Sequence, residues 1–248
     1  MSKQRAKVLR EMGLGPVWKL RTPPPSVVAG GGGDGFAVAA PGSVPAPVPV
    51  MLQAASPPAT AAMDWDALAT TVAACRQCGL CEARKQAVLG VGDRDADWLF
   101  VGEGPGAEED QRGEPFVGQA GKLLDSMLAT IGLRRGEDVY IANAVKCRPP
   151  GNRTPTPEET ATCWPYLERQ IELIQPKLIV ALGRPAAQTL LRTEVKIGAA
   201  RGKCFDYRGI PVVVSYHPAY LLRTPLDKAL AWEDLCFMRH TMKALKAR

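Results

Sequence analysis

Short, largely apolar runs alternate along the last three quarters of the chain with longer stretches whose apolar positions recur at helical spacing. Trp98-Leu-Phe-Val101, Val139-Tyr-Ile-Ala142, Lys177-Leu-Ile-Val-Ala181 and Pro211-Val-Val-Val-Ser215 read as four buried strands. Between and around them, residues 64–74, 119–131, 185–192 and about 232–246 read as helices, the second with Leu123, Leu124, Met127 and Leu128 on one side. A further helix starts at Thr156-Pro157-Glu158-Glu159, where Thr is the N-cap, Pro the first residue and Glu completes a capping box, and it runs to about residue 174. Strands apolar throughout and alternating with helices predict a parallel sheet covered on both faces. The expected fold is therefore α/β, a three-layer α/β/α arrangement around a central, mostly parallel four-stranded sheet. Ligands in such folds sit at the carboxyl ends of the strands. Here those ends are residues 102–106, 143–147 and 217–222, three chemically unusual loops on one rim.

The pattern is absent before residue 63. Residues 22–62 contain nine Pro, six Gly and ten Ala, with Asp34 the only charge. Such a segment buries too little apolar surface to offset its ordering entropy, so it is expected to be a disordered tether. It follows a basic segment, residues 1–21, read as a solvated tail in preference to a docking helix for an unidentified protein partner. Residues 63–248 form the expected folded domain. The net charge of +6 divides into +4 on residues 1–62 and +2 on the remainder, which permits a nucleic-acid partner without requiring one.

Of the 248 residues, 46% are hydrophobic and 23% charged, which excludes collagen, coiled-coil and wholly disordered classes. No apolar run reaches the ~20 residues that span a bilayer, so no membrane role is expected. The N-terminus is basic without an apolar stretch, so a cytoplasmic location is expected. Seven cysteines then read as metal ligands or thiols rather than disulfides. Cys75-Arg-Gln-Cys78 is a CxxC pair, and Cys147 ends a predicted strand while Cys163 lies in the capped helix. One pair plus two separated cysteines suits a cubane cluster as well as or better than zinc; four unrelated thiols or a redox pair are the alternatives. Cys81 is a competing ligand by spacing, and Cys204 and Cys236 read as ordinary thiols.

Gly102-Glu-Gly-Pro-Gly106 spaces its glycines as GxGxG rather than GxGxxG, which disfavours a dinucleotide cofactor. Acids at a helix start explain Glu108 and Asp110, but not Glu103 inside the glycine loop. His217 follows a buried strand at the rim, whereas His240 reads as structural. Asn143 ends a strand and presents an amide donor and acceptor suited to a planar ligand. Phe116 lies in a polar, Gly/Pro-rich stretch and reads as a stacking platform.

Together these residues resemble the family 4 uracil-DNA glycosylases, the iron–sulfur branch of that superfamily. The resemblance rests on CRQC (75–78), GEGPGAEED (102–110), GEPFVGQAGKLL (113–124), NAVKCRPPGNRTPTPEE (143–159), Cys163 and HPAYLL (217–222). It implies a 4Fe-4S cluster on Cys75, Cys78, Cys147 and Cys163, with a structural role. It implies hydrolysis of the uracil–deoxyribose bond in DNA by a monofunctional repair enzyme; a monomer is the default expectation, and the cytoplasmic location would be at the nucleoid. Phe116 would stack on the flipped base, Asn143 would pair with uracil O4 and N3–H, and backbone N–H groups near Gly104 would bind the base edge. His217 would donate toward O2, and Glu103 would support the sugar cation or orient the water, with Glu109 nearby. Family 1 members carry a catalytic Asp where Gly104 stands here, so Glu103 is the expected base. Leu221 or Leu222 would wedge into the vacated stack while Arg148, Arg153 and Arg223 contact phosphates. Two alternatives are a non-catalytic iron–sulfur DNA-binding module and the relative that links covalently to DNA through a histidine. The second is disfavoured because residues 201–208 contain no His.

Overall fold

A computed structural model describes residues 59–247 of the chain. The expected basic segment and most of the expected tether lie outside the described residues. Ala59–Ala62 form a single 3-10 turn against a later helix, so the described fold starts just ahead of residue 63.

Six strands make one sheet: β1 (Val91–Gly92), β2 (Trp98–Gly102), β3 (Val139–Asn143), β4 (Leu178–Leu182), β5 (Cys204–Tyr207) and β6 (Ile210–Ser215). Their order is β1-β3-β2-β4-β6-β5. The four predicted strands are the central parallel ones, β3, β2, β4 and β6. The expectation of a four-stranded sheet is corrected by the two antiparallel edge strands, β1 and β5. The physical reason is plain in the sequence. β1 has only two residues, and β5 (Cys-Phe-Asp-Tyr) is mostly exposed, so neither carries the apolar run by which a buried strand is recognised.

Nine helices accompany these strands among the described residues: α1 (Trp65–Ala74), α2 (Leu80–Ala83), α3 (Ala107–Arg112), α4 (Gln119–Thr130), α5 (Pro157–Ile174), α6 (Arg184–Leu191), α7 (Ile197–Ala200), α8 (Pro218–Arg223) and α9 (Lys228–Lys246). Asp64 caps α1 by accepting the Ala67 N–H at 2.8 Å. The capping box of α5 is formed as its sequence requires: Thr156 Oγ1 accepts the Glu159 N–H at 3.2 Å, and Glu159 Oε2 accepts the Thr156 N–H at 2.8 Å.

Alternation along the central strands divides the core into two layers. Phe100, Ile141, Val180 and Val213 face one side and pack with Leu124, Met127 and Leu128 of α4 and Leu235 and Met238 of α9. Leu99, Val101, Ile179, Ala181 and Val214 face the other and pack with Leu167 and Ile171 of α5 and Ala187 and Leu190 of α6. A third, smaller cluster joins α1 to α5 around Leu68, Val72, Cys147, Cys163 and Tyr166. Parallel register brings Gly102 opposite Asn143 and Leu182 opposite Ser215, which places the rim loops side by side.

Candidate active site

The rim begins with a close approach. Gly102 ends β2 beside Asn143, and a Cβ on Gly102 would stand 2.4 Å from Asn143 Oδ1 and 2.6 Å from Phe116 Cζ. Only glycine leaves room for both groups. Asn143 is buried, and its Oδ1 has no hydrogen-bond partner among the described residues. A buried, unpaired carbonyl oxygen costs about 1–3 kcal/mol, so a ligand donor is its expected complement. The Phe116 ring lies 5.4 Å from the His217 ring at an interplanar angle of 30°. Asn143, Phe116 and His217 are thus brought together as expected, around the bare Cα of Gly102.

Phe116 holds a left-handed backbone conformation (φ 55°), unusual for a bulky residue and worth about 1–3 kcal/mol of strain. Two charged side chains hold it, one through backbone N–H groups and one through carbonyls. Glu109 Oε1 accepts the Val117 and Gly118 N–H groups at 2.9 and 3.1 Å, and its Oε2 accepts the Gly106 N–H at 3.1 Å. Arg135 donates to the Pro115 and Phe116 carbonyls, both at 2.8 Å, and pairs with Asp125 at 2.9 Å. The loop also lies directly on α4, where a Cβ on Gly121 would stand 1.7 Å from the Phe116 carbonyl oxygen. Both Glu109 oxygens are therefore engaged by backbone. Its carboxylate faces the loops it ties.

His217 caps α8: its Nδ1 accepts the Ala219 N–H at 3.1 Å, which leaves the proton of a neutral ring on Nε2. Burial, reinforced by the cation of Arg223 and only partly offset by Glu109, lowers its pKa to about 4. The ring is therefore a neutral donor at physiological pH. Its strand is anchored behind it, because Ser215 Oγ donates to buried Asp234 at 2.7 Å and Arg201 pairs with Asp234 at 2.9 Å. Glu103 sits part-exposed at the end of β2, and its carbonyl accepts the Val145 N–H at 3.1 Å. Its carboxylate makes no hydrogen bond among the described residues. At Gly104 a Cβ would meet Val145 Cγ2 at 2.8 Å, so an acidic side chain has no ready place there.

Cys75, Cys78, Cys147 and Cys163 line one cavity beside this site, with Arg84 and Lys146 in its wall. Cys81 does not line it. Arg84 Nη1 donates to Cys147 Sγ at 2.8 Å, and the Lys146 N–H donates to Cys163 Sγ at 3.2 Å. Burial raises the thiol pKa of Cys78 and Cys147, and that of Cys163 to about 12. Such thiols ionise at neutral pH only when a cation takes their charge. Among the described residues no three His, Cys, Asp or Glu side chains converge as a single ion requires. Four cysteine sulfurs around one cavity, with N–H donors aimed at two of them, are a donor set of the kind that holds a metal group.

The expected DNA contacts divide. Leu221 is 0% exposed and packs in the core, so it cannot insert into a base stack; the other expected wedge, Leu222, is 42% exposed. The burial follows from the geometry of α8, which turns successive residues toward and away from α4. Leu226, at 86% exposure, was not identified from sequence, because a single Leu between Pro and Asp carries no periodicity. Arg223 is exposed near His217, and Arg148 Nε donates to Asn152 at 2.8 Å. Arg153 is held in a two-pronged pair with Glu159 at 2.6 and 2.8 Å, so phosphate contact there requires a change of partner. Arg135 and Gln170 were also missed, since they act through contacts distant in sequence, and Lys146 because nothing local marks it as buried.

Replacing Glu109 by Ala should release the amides it holds. Hydrogen exchange at Val117 and Gly118 is expected to accelerate at least tenfold with exchange in α5 unchanged, in line with about 1.5–3 kcal/mol per bond to a charged acceptor. Unchanged exchange in that loop would contradict the clamp.

Comparison with known proteins places this geometry. The model of the uracil DNA glycosylase superfamily matches residues 89–236. A type-4 uracil-DNA glycosylase of Archaeoglobus fulgidus is 48% identical over 168 residues, covering 64% of this chain and 84% of that protein. The type-4 enzyme of Pyrobaculum aerophilum is 45% identical over 181 residues, 70% of this chain and 92% of its own. That of Thermotoga maritima is 52% identical over 151 residues, 60% and 78% of the two chains. With its rim loops, buried amide and cysteine-lined cavity inside the matched region or beside it, the chain belongs to the uracil DNA glycosylase superfamily, in its type-4 branch.

Proposed function

We propose that this enzyme binds uracil flipped out of DNA through the amide of Asn143 and hydrolyses the bond from the base to deoxyribose. Free uracil and an abasic site are the products. The observation that carries the recognition is the buried, unpaired Asn143 Oδ1 beside Gly102 and Phe116. An acceptor there matches uracil N3–H, and the amide NH2 matches O4. Cytosine presents an acceptor at N3 and a donor at its exocyclic amine, so both contacts would fail. Flipping costs a few kcal/mol, which stacking on Phe116 helps to offset.

Bond cleavage develops positive charge on the sugar and negative charge on uracil O2. A neutral His217 with its proton on Nε2 donates to that oxygen, and its place in a packed site strengthens the interaction as charge grows. The ring is already oriented by the Ala219 N–H, so little reorganisation accompanies the step. Glu103, with its carboxylate unpaired at the rim, would stabilise the sugar cation and orient the attacking water. Arg148 and Arg223 would hold flanking phosphates while Leu222 fills the vacated stack.

The four cysteines would hold a 4Fe-4S cluster, which when bound supplies a rigid covalent junction between the start of the domain, the loop after β3 and α5. Arg84 and the Lys146 amide would hydrogen-bond its thiolates. Purified protein is expected to contain iron and sulfide and to absorb broadly in the visible. Cys163→Ala should lose that absorption and unfold at lower temperature; undiminished iron content in this variant would contradict the ligand set.

The function is tested on an oligonucleotide with one uracil, treated with alkali after incubation and run on a gel. Scission at uracil is expected, reduced about 10²–10³-fold in His217→Ala, the usual loss for one such donor. The folded-state pKa of about 4 also sets a pH profile. His217 stays neutral from pH 8 down to pH 5, so no ionisation near 6.5 should disappear in His217→Gln. The unfolded chain protonates this ring near 6.5, so its contribution to stability falls as pH drops from there toward 4. An activity limb near 6.5 that vanishes with the ring would contradict the neutral donor.

A further inference from the structure

Lys146 is one of the largest side chains buried in the protein, at 1% exposure, and no carboxylate pairs with it among the described residues. Burying an ammonium is costly, so the acceptors that receive its protons decide where it can stand. Its ammonium donates to the Asn143 carbonyl at 2.8 Å and to Gln170 Oε1 at 2.5 Å. Gln170, itself fully buried on α5, donates onward to the Leu89 carbonyl at 3.0 Å and to Tyr140 Oη at 3.3 Å.

These bonds act on one peptide unit. The carbonyl of Asn143 is held by Lys146 Nζ, while the N–H of the same unit, from Ala144, donates to the Gly102 carbonyl at 2.8 Å. With both ends fixed, the plane of the 143–144 peptide cannot rotate, and the direction in which the Asn143 amide leaves the backbone is set. Lys146 is also tied to the cysteine cavity: its own N–H meets Cys163 Sγ, and Cys147 is the next residue. The Val88 N–H holds the Lys146 carbonyl at 2.8 Å, so the residue is anchored at every polar atom.

We infer that Lys146, supported by Gln170, is a positioning residue that fixes the Asn143 amide for base recognition and links it mechanically to the four-cysteine cavity. The inference rests on the reading of Asn143 as the uracil-recognising side chain. It makes the cysteine region part of the recognition apparatus rather than a remote staple, because displacement there would reach Asn143 through one side chain.

A double-mutant cycle on the full chain tests this. Lys146→Met keeps the length of the side chain and removes its donors. Single-turnover uracil release is expected to fall at least tenfold, with affinity for the uracil oligonucleotide within twofold. In an Asn143→Ala background the same change should alter the rate less than twofold, because the amide it positions is gone. A merely structural role would instead multiply the two losses, and that result overturns the inference while leaving Asn143 in place. A wild-type rate in Lys146→Met overturns it as well. A wild-type rate in Asn143→Ala overturns the underlying reading of Asn143 and the inference with it. Should Lys146→Met fail to fold, Gln170→Met approaches the ammonium from its other side. A loss of three- to tenfold that vanishes in the Asn143→Ala background supports the inference, and a loss that multiplies overturns it.

Discussion

The contact between Gly102 and Asn143, at the carboxyl ends of two parallel strands, is the constraint on which the site depends. Strand register puts these residues opposite each other, and the missing Cβ of Gly102 lets an amide oxygen and an aromatic ring share the space a methyl would fill. Everything else at the rim is arranged around that vacancy of side chain. Phe116 reaches it from a backbone conformation that costs energy, and Glu109 and Arg135 hold the loop there through its N–H groups and its carbonyls. His217 reaches it from β6, whose end is anchored by the Ser215–Asp234–Arg201 chain.

The electrostatics follow a single logic. A site that must stabilise an anion forming on a departing base gains most from donors already in place and already dry. His217 fits this by being neutral, singly oriented and packed. The charged residues nearby are engaged in holding the scaffold: Glu109 by three backbone N–H groups, Arg135 by two carbonyls and Asp125, Lys146 by Asn143 and Gln170. Glu103, with an unpaired carboxylate at the rim, and the exposed Arg223 are not engaged in this way among the described residues. The cysteine cavity lies beyond Lys146, so the recognition amide and the proposed cluster share one short segment of chain.

Much of this was legible in the sequence. The four parallel strands are apolar up to a polar last residue in two of them, and the capping box of α5 is complete in its letters, so both were predicted where they occur. Asn143, Phe116 and His217 stood out because each is a chemically unusual residue at a strand end or in a polar loop. The edge strands escaped because two residues, or four with mostly exposed side chains, carry no pattern. Arg135 and Gln170 escaped because their partners lie some 20 to 80 residues away in sequence, at Phe116 and Leu89, and no local spacing announces such bonds. Lys146 looks in sequence like an ordinary cation between a strand and a cysteine. Leu221 and Leu222 could be told apart only once the orientation of α8 was known.

The account stands or falls on recognition by the Asn143 amide. The most direct measurement compares uracil release by the wild-type chain and by Asn143→Asp on the same oligonucleotide, at pH 7.5 where a carboxylate is ionised. A carboxylate can accept from N3–H but cannot donate to O4, so release is expected to fall at least 100-fold at a temperature where circular dichroism shows the variant still folded. Uracil release by Asn143→Asp at the wild-type rate would contradict the account.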